Sequence, residues 1–485
     1  MSNNAIQALL ELGYKTKAVQ KGDERYVINQ VRALIGDQAD SPDTPVRASS
    51  IIEQLTQVAI RNQKIDDTIT DREILAGQLM DLITPRPSSI NQRFNRINEE
   101  NGSRAATDYF YELCRMDNDI QTAAIAKNIE YTAADLEVTI NLSKPEKDPK
   151  AIAQAAKTAS ATYPQCQLCL ENEGYLGRVG YPARSNHRII KIQVNSEPWG
   201  FQYSPYAYFP EHAIFIDQIH RPMKINRQTF ENLIEIVEKF PHYFVGSNAD
   251  LPIVGGSMLS HEHYQGGRHI FPMMKAPIVQ NVRLNQIPDV AAGIIQWPMT
   301  AIRLKSTNRE SIINAAEAIH EKWQNYSDPT LDIRAISNGQ KHHTVTPIAY
   351  RKGADFIIDI VLRDNQTSAQ YPDGIFHPHQ DVQHIKKENI GLIEVMGRAI
   401  FPPRLIPEME EVKNFLLNQP NAIADYHQQW AEELHQHNSV TADNVEKVIQ
   451  DGIGATFKRV LEDAGVFKWD SAGREGLQKF ISKLN

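Results

Sequence analysis

The stretch VGGSMLSHEHYQGGRH, Val254–His269, holds the densest chemistry of the chain and decides how the rest is read. If it runs extended, side chains alternate, so His261, His263 and Gln265 share one face while Glu262 and Tyr264 take the other. An imidazole can attack phosphorus and a carboxamide can hold a phosphoryl oxygen, so that face suits a site for an anion. Just upstream, Gly255 and Gly256 allow the backbone to approach a phosphate closely, and Ser257 adds a hydroxyl donor. The competing reading is a surface strand with incidental histidines. A zincin helix is excluded, because H-E-x-x-H needs histidine where Gln265 stands.

Around this stretch the texture is short β-like runs and amphipathic helices. Arg188–Val194, Ala207–Phe209 and Ala213–Ile216 read as strands. A helix is expected from Asn226 to Phe240, with Phe230, Leu233, Ile234, Val237 and Phe240 on one face. The order repeats loosely: a helix at Glu310–Tyr326, a strand at Phe356–Leu362, then FHPHQ at Phe376–Gln380. Two related α+β halves follow from this order, though no residue-level repeat is visible. Both ends of the chain are helical. Ala5–Leu12, Tyr26–Ile35, Ile51–Ile60 and Glu73–Ile83 carry apolar residues at helical spacing, and Pro85-Arg86-Pro87 breaks the pattern. Leu136–Leu142 alternates like a strand, and the charged, proline-bearing Ser143–Lys150 reads as a domain boundary. Beyond Pro402-Pro403, helices are expected at Glu408–Leu417, Asn421–His437, Asn444–Asp463 and Gly473–Leu484.

Composition limits what such a protein can be. The 485 residues, 41% hydrophobic with a net charge of −8, allow two to four domains with real cores. A mean hydropathy of −0.44 is that of a soluble chain. The acidic balance argues against a general nucleic-acid binder, since phosphate neutralisation needs a basic surface. Val290–Ile302 is apolar but too short to span a bilayer and contains Pro298. No signal pattern opens the chain, and three cysteines cannot form a disulfide framework, so a cytoplasmic location and no membrane partner are expected.

Cys166-Gln167-Leu168-Cys169 is the second feature with chemistry. The spacing is that of half a zinc site, of a redox pair, or of coincidence. No second C-x-x-C exists, so a tetrahedral zinc would need two histidines from elsewhere. Cys114, in YFYELCRMD, reads as a helix core residue. Trp199 and the tyrosines at 203, 206 and 208 read as packing rather than a base-stacking platform. His377-Pro378-His379-Gln380 rivals the first histidine cluster, but its glutamine follows the second histidine directly, and on a strand the two would face opposite ways.

Several long segments together resemble one family. YPQCQLCLENEGYLGR (Tyr163–Arg178), EPWGFQYSPYAYFPEHAIFI (Glu197–Ile216), FVGSNADLPIVGGSMLSHEHYQGG (Phe244–Gly267) and HIKKENIGLIEVMG (His384–Gly397) are similar to the galactose-1-phosphate uridylyltransferases. The likeness is to their longer type 2 class, the UDP-glucose–hexose-1-phosphate uridylyltransferases, and runs nearly end to end. It implies an α+β fold of two histidine-triad-like halves with antiparallel sheet. The halves would occupy 151–275 and 276–403, flanked by helical regions at 1–150 and 404–485.

The resemblance also implies roles. His263 would take the uridylyl group and Gln265 would hold the phosphate, with UDP-glucose and galactose 1-phosphate as substrates in the Leloir pathway of galactose metabolism. Cys166, Cys169, His212 and His261 would hold a structural zinc. Asn186, His187, Asn248, Gly256 and Ser257 fall in nucleotide-contacting segments, and Lys387 and Glu394 in the sugar-recognition segment. A homodimer is typical of the family, and no organic cofactor is implied. Glu262 and Tyr264 depart from the short-class motif, which has proline and a small residue there. The iron-type histidine pair of the short class has no clear counterpart, although His342, His343, His377 and His379 are available, so that metal is left out of the expected set. The alternatives are a histidine-triad-type nucleotide hydrolase or phosphorylase, and a non-enzymatic zinc-stabilised module.

Overall fold

Phe244–Gly246 and His263–Gly267 lie side by side as antiparallel strands, with Gly246 opposite Gln265. The computed structural model that shows this describes residues 4–37, 47–142, 162–256 and 258–485. Ser143–Lys150, the boundary at 150/151 and Ser257 therefore lie outside the described residues. Packing divides the chain into two units. One comprises the described parts of 1–127, 143–207 and 211–221, and the other 128–142, 208–210 and 222–485. These cross the linear boundaries expected at 150, 275 and 403.

In the first unit, helices Asn4–Thr16, Glu24–Ile35, Ala48–Arg61 and Ile69–Asp81 bury a core of Leu9, Val31, Leu55 and Leu79. Two further helices, Pro87–Asn101 and Ser103–Met116, follow where the proline pair suggested a break. Pro87 begins the first of them, a position where its missing N–H costs nothing. Its sequence is otherwise polar, and only Ile90 and Phe94 are buried, which hides the periodicity. Cys114 fills a core position of the second helix, as expected. Strands Ile190–Val194, Glu197–Tyr203 and Ala213–Asp217 pair antiparallel in that order. Phe201 and Tyr203 meet Phe94 and Phe110 in an aromatic cluster with centroids 5.2–6.4 Å apart, so Tyr203 packs. Ala207–Phe209 is not a strand. Phe209, itself part of the second unit, owes its strand-like signal to a buried ring that sits against Phe244 and Phe271 of the same unit.

In the second unit, the two strands named above continue antiparallel through His343–Lys352, Asp355–Asp364, Ala301–Ser306, Ala291–Ile295 and Ile278–Val282. The long hairpin of His343–Lys352 and Asp355–Asp364 closes on Gly353-Ala354, where Gly353 takes φ +64°, a value a two-residue turn favours. The apolar run around Pro298 thus splits into two strands and a turn. Helices Arg227–Lys239 and Arg309–Gln324 pack together, and Arg227 reaches Asn314 (2.8 Å) and Glu317 (2.6 Å) across their contact. A second, three-stranded sheet joins Ile129–Ala133, Leu136–Ile140 and Arg398–Phe401, the last pair parallel. Leu136, Val138 and Phe209 enter the same apolar core as Phe401, Leu405 and Phe457. That shared core explains why 128–142 and the C-terminal helices Leu405–Leu416, Asp425–His437, Val445–Ala464 and Ser471–Ser482 belong to one unit. The α+β class with antiparallel sheets is the one expected. No helix among the described residues is long and apolar enough to cross a membrane.

Candidate active site

His263 opens its strand and is 5% exposed, with Gln265 half-buried two residues on. His261 stands just before the strand, fully buried. The Nδ1 of His263 lies 2.8 Å from the main-chain oxygen of His261. A carbonyl oxygen only accepts, so the proton of the neutral ring sits on Nδ1 and the lone pair on Nε2. The ring is thereby held as the tautomer a nucleophile needs. On the opposite side of the strand, the Tyr264 hydroxyl donates to Glu262 at 2.6 Å and accepts from Asn232 of the helix Arg227–Lys239 at 3.0 Å. Burial, then Glu262, pushes the Tyr264 phenol well above its usual value, so it stays protonated. The two residues that depart from the short-class motif thus face the helix and not the His263 side.

The glycine pair acts at close range. A Cβ on Gly256 would stand 2.5 Å from the Asn248 amide nitrogen, and one on Gly255 2.6 Å from two carbonyl oxygens. Asn248 accepts from the N–H of Leu392 at 2.9 Å, which ties this loop to the start of the one-turn helix Leu392–Val395. Glu394 caps that turn at the N–H of Gly391 (3.1 Å) and pairs with Lys386 at 2.6 Å. Burial opposes the charge on Lys386, but Glu394 and Glu388 more than offset it and its pKa is raised. Lys387, the lysine expected in this segment, lines a different cavity with Arg404 and Arg459. The pairing of Lys386 with Glu394 was missed because neighbouring lysines look alike until the backbone says which one turns inward. Arg363 is also buried here, donating to Thr346 (3.2 Å) and to the carbonyl of Ile390 (3.0 Å), and burial pushes its pKa down to about 10.

The rival histidines are occupied otherwise. His377 contacts Asn389 at 3.2 Å, and burial lowers its pKa. His379, Asp381 and Asp463 bring ligand atoms within 4.8 Å of one another, but Arg459 bonds Asp463 at 2.9 Å and lies 3.6 Å from Asp381, supplying the positive charge.

In the first unit, Asn186 donates to the carbonyl of Asp117 at 2.8 Å and lines a small cavity with Asp119, Arg184 and Tyr206. His187 is buried with both ring nitrogens engaged, by Asp119 at 2.9 Å and Gln202 at 2.9 Å. Its ring therefore serves the interior, and a nucleotide contact from it would have to break one of those bonds. Cys166 and Cys169 sit in a turn pinned by Asn172 and Tyr181, each donating to the Cys166 carbonyl at 2.8 Å. The Cys166 sulfur lies within 4.8 Å of a ring nitrogen of His220. Cys166, Cys169 and His212 do not bring three ligand atoms within that distance of one another. His212 is buried, and its carbonyl bonds the N–H of Ser204 at 2.8 Å. The histidine beside Cys166 is thus His220, eight residues further on. A thiol and an imidazole at one corner, with a second cysteine three residues along the same turn, are donors of the kind zinc takes.

An α+β protein with an H-x-H-x-Q segment entering a sheet, an imidazole held by a main-chain carbonyl and a glycine pair beside it carries groups that the transfer of a phosphorus-centred group can use. The galactose-1-phosphate uridyl transferase N-terminal domain model matches residues 17–222 and its C-terminal domain model matches 235–432. The galactose-1-phosphate uridylyltransferase of Pediococcus pentosaceus is 58% identical over 96% of both chains. That of Lactiplantibacillus plantarum is 59% identical, again over 96% of each. A solved structure, the yeast Ap4A phosphorylase, overlaps at TM-score 0.28 and 10% identity over 60% of this chain and 89% of that one, too low to argue from. The chain belongs to the galactose-1-phosphate uridylyltransferase family, and it is a nucleotidyltransferase.

Proposed function

We propose that the protein exchanges UMP between UDP-glucose and galactose 1-phosphate by a ping-pong route, in the Leloir pathway of the cytoplasm. The observation that carries this is the 2.8 Å contact from His263 Nδ1 to the His261 carbonyl. His263 Nε2 attacks the α-phosphorus of UDP-glucose, and the bond to the bridging oxygen breaks. Glucose 1-phosphate leaves with the electron pair. The uridylylated ring is cationic, and its Nδ1–H still donates to the same carbonyl, a charge-assisted bond that supports the intermediate. A phosphate oxygen of galactose 1-phosphate then attacks phosphorus, UDP-galactose departs, and the lone pair returns to Nε2. The Gln265 amide donates to a phosphoryl oxygen in both steps, and placing two anions in line supplies much of the rate.

Asn248 and Gly256 border the nucleotide in this reading. Glu394 serves the sugar phosphate, and Lys386 joins it through their pair. Zinc is held by Cys166 and His220, with Cys169 beside them, in this reading. The ion fixes local structure and takes no part in bond making. The active form is a homodimer. A two-substrate assay tests the function. UDP-galactose should form only when both UDP-glucose and galactose 1-phosphate are present, with parallel double-reciprocal lines. Release of UMP to water without UDP-galactose would contradict it.

A further inference from the structure

Among the described residues, His384 and His427 each keep one buried ring nitrogen with no hydrogen-bond partner, Nε2 of the first and Nδ1 of the second. Their other nitrogens are committed. His384 Nδ1 meets the carbonyl of Asp381 at 2.9 Å, and His427 Nε2 meets the Glu408 carboxylate at 3.0 Å. Glu408 is held ionised: burial opposes its charge, but bonds from His427, Arg404 and Tyr426 bring its pKa below the usual value. Both acceptors therefore receive a hydrogen bond from a ring N–H, which leaves the lone pairs on the two orphan nitrogens. His427 is fully buried, and burial lowers the pKa of both rings, that of His384 to about 4, so both are neutral at pH 7.

The two rings meet edge to face, 85° apart in plane, with centroids 5.3 Å from each other. A tetrahedral ion about 2.0–2.1 Å from one nitrogen of each ring sets two imidazole centroids roughly 5.2 Å apart. The outer bonds fit as well. A histidine that ligates a metal hands its other N–H to a carboxylate or a backbone carbonyl, and these two rings do one each. His384 also lines a cavity of about 1020 Å³ with Asp425, Tyr426, Gln429, Trp430 and Glu433, which gives an ion a way in and room for water.

We propose that His384 and His427 bind a divalent transition-metal ion, of the borderline class imidazole favours, with its other positions open to water or an anion in the cavity. Its donors are separate from the cysteine set expected to hold zinc. Glu408 is a positioning residue that orients the His427 ring.

Trp430 makes the test direct, because its ring lies 5.4 Å from His384 and 6.1 Å from His427. The full-length protein, stripped with a chelator, is titrated with Co2+ alone while tryptophan emission is followed. The expected result is saturable quenching with one-to-one stoichiometry, absent in Trp430→Phe and shifted at least tenfold to higher Co2+ in His384→Gln. Circular dichroism of the half-buried His384 variant checks that it folds, and His427→Gln is the second variant. Quenching that is unchanged in a folded His384→Gln, or that persists in Trp430→Phe, overturns the proposal. So does a chain that shows no quenching at millimolar Co2+, the behaviour of two rings bridged by water.

Discussion

His263 and His261 are joined by a 2.8 Å contact from ring nitrogen to main-chain oxygen, spanning two residues at the entry to one strand. The geometry is local, so the backbone itself holds the tautomer of His263. Replacing His263 removes the nucleophile and leaves the pocket. His263→Ala should lower transfer by at least about 10³-fold. UDP-glucose affinity, measured by calorimetry, should change by only a few-fold. Near-normal turnover in this variant would remove His263 from the mechanism.

Tyr264, on the other face of the strand, is expected to matter for stability and not for chemistry. Tyr264→Phe deletes a hydroxyl that serves Glu262 and Asn232 together. Losing a buried hydroxyl's hydrogen bonds costs about 0.5–1.5 kcal/mol each, so thermal or urea unfolding should register the loss. The turnover number should stay within a few-fold of that of the parent.

The metal expectation can now be divided between two histidines. His220→Ala should lower bound zinc, measured by elemental analysis, to well below one equivalent. His212→Ala, whose ring does not join the two cysteines in a cluster, should keep it. The reverse pattern would restore the set read from the sequence.

In the sheet, Arg303 and Asp359 face each other in register and pair through two contacts of 2.7 and 2.8 Å. The carboxylate is fully buried, and the arginine also holds the carbonyls of Met273 and Ala276. Asp359→Asn leaves a buried charge unpaired and should cost about 3–5 kcal/mol in denaturant unfolding. Replacing both residues with apolar ones of similar volume should cost less than that single change.

His320 predicts a pH dependence. Burial pushes its pKa down from 6.5 to about 4, so the folded ring is neutral where the unfolded one takes a proton. The unfolded state then binds more protons below pH 6.5, and the stability tied to this group is lost as pH falls from there towards 4. His320→Phe should flatten that part of the stability profile, recorded by urea unfolding at pH 7, 6, 5 and 4. A profile with the same slope in the variant would show that other groups set it.

Much of this was legible in the chain because the signals were periodic or chemically dense. The apolar stripe of Phe230, Leu233, Ile234 and Val237 predicts its helix, and the alternation at 261–265 separates His263 from Tyr264. What could not be read depended on contacts distant in sequence. The helix Pro87–Asn101 buries only Ile90 and Phe94, too sparse a stripe to see. Strand Glu197–Tyr203 is interrupted by Pro198 and Gly200, which disguise its period. The exchange of His212 for His220, and the inward turn of Lys386 beside Lys387, depend on backbone direction over a few residues. No spacing rule encodes that direction.

The covalent intermediate is the centre of the account, and one measurement reaches it. The protein is mixed with UDP-glucose labelled in the α-phosphate, without galactose 1-phosphate, then quenched and digested. The account predicts label on the peptide that contains His263, acid-labile as an N–P bond is, and its discharge as UDP-galactose when galactose 1-phosphate is added before quenching. Label on another peptide, or none while UDP-galactose is still produced at the normal rate, would contradict it.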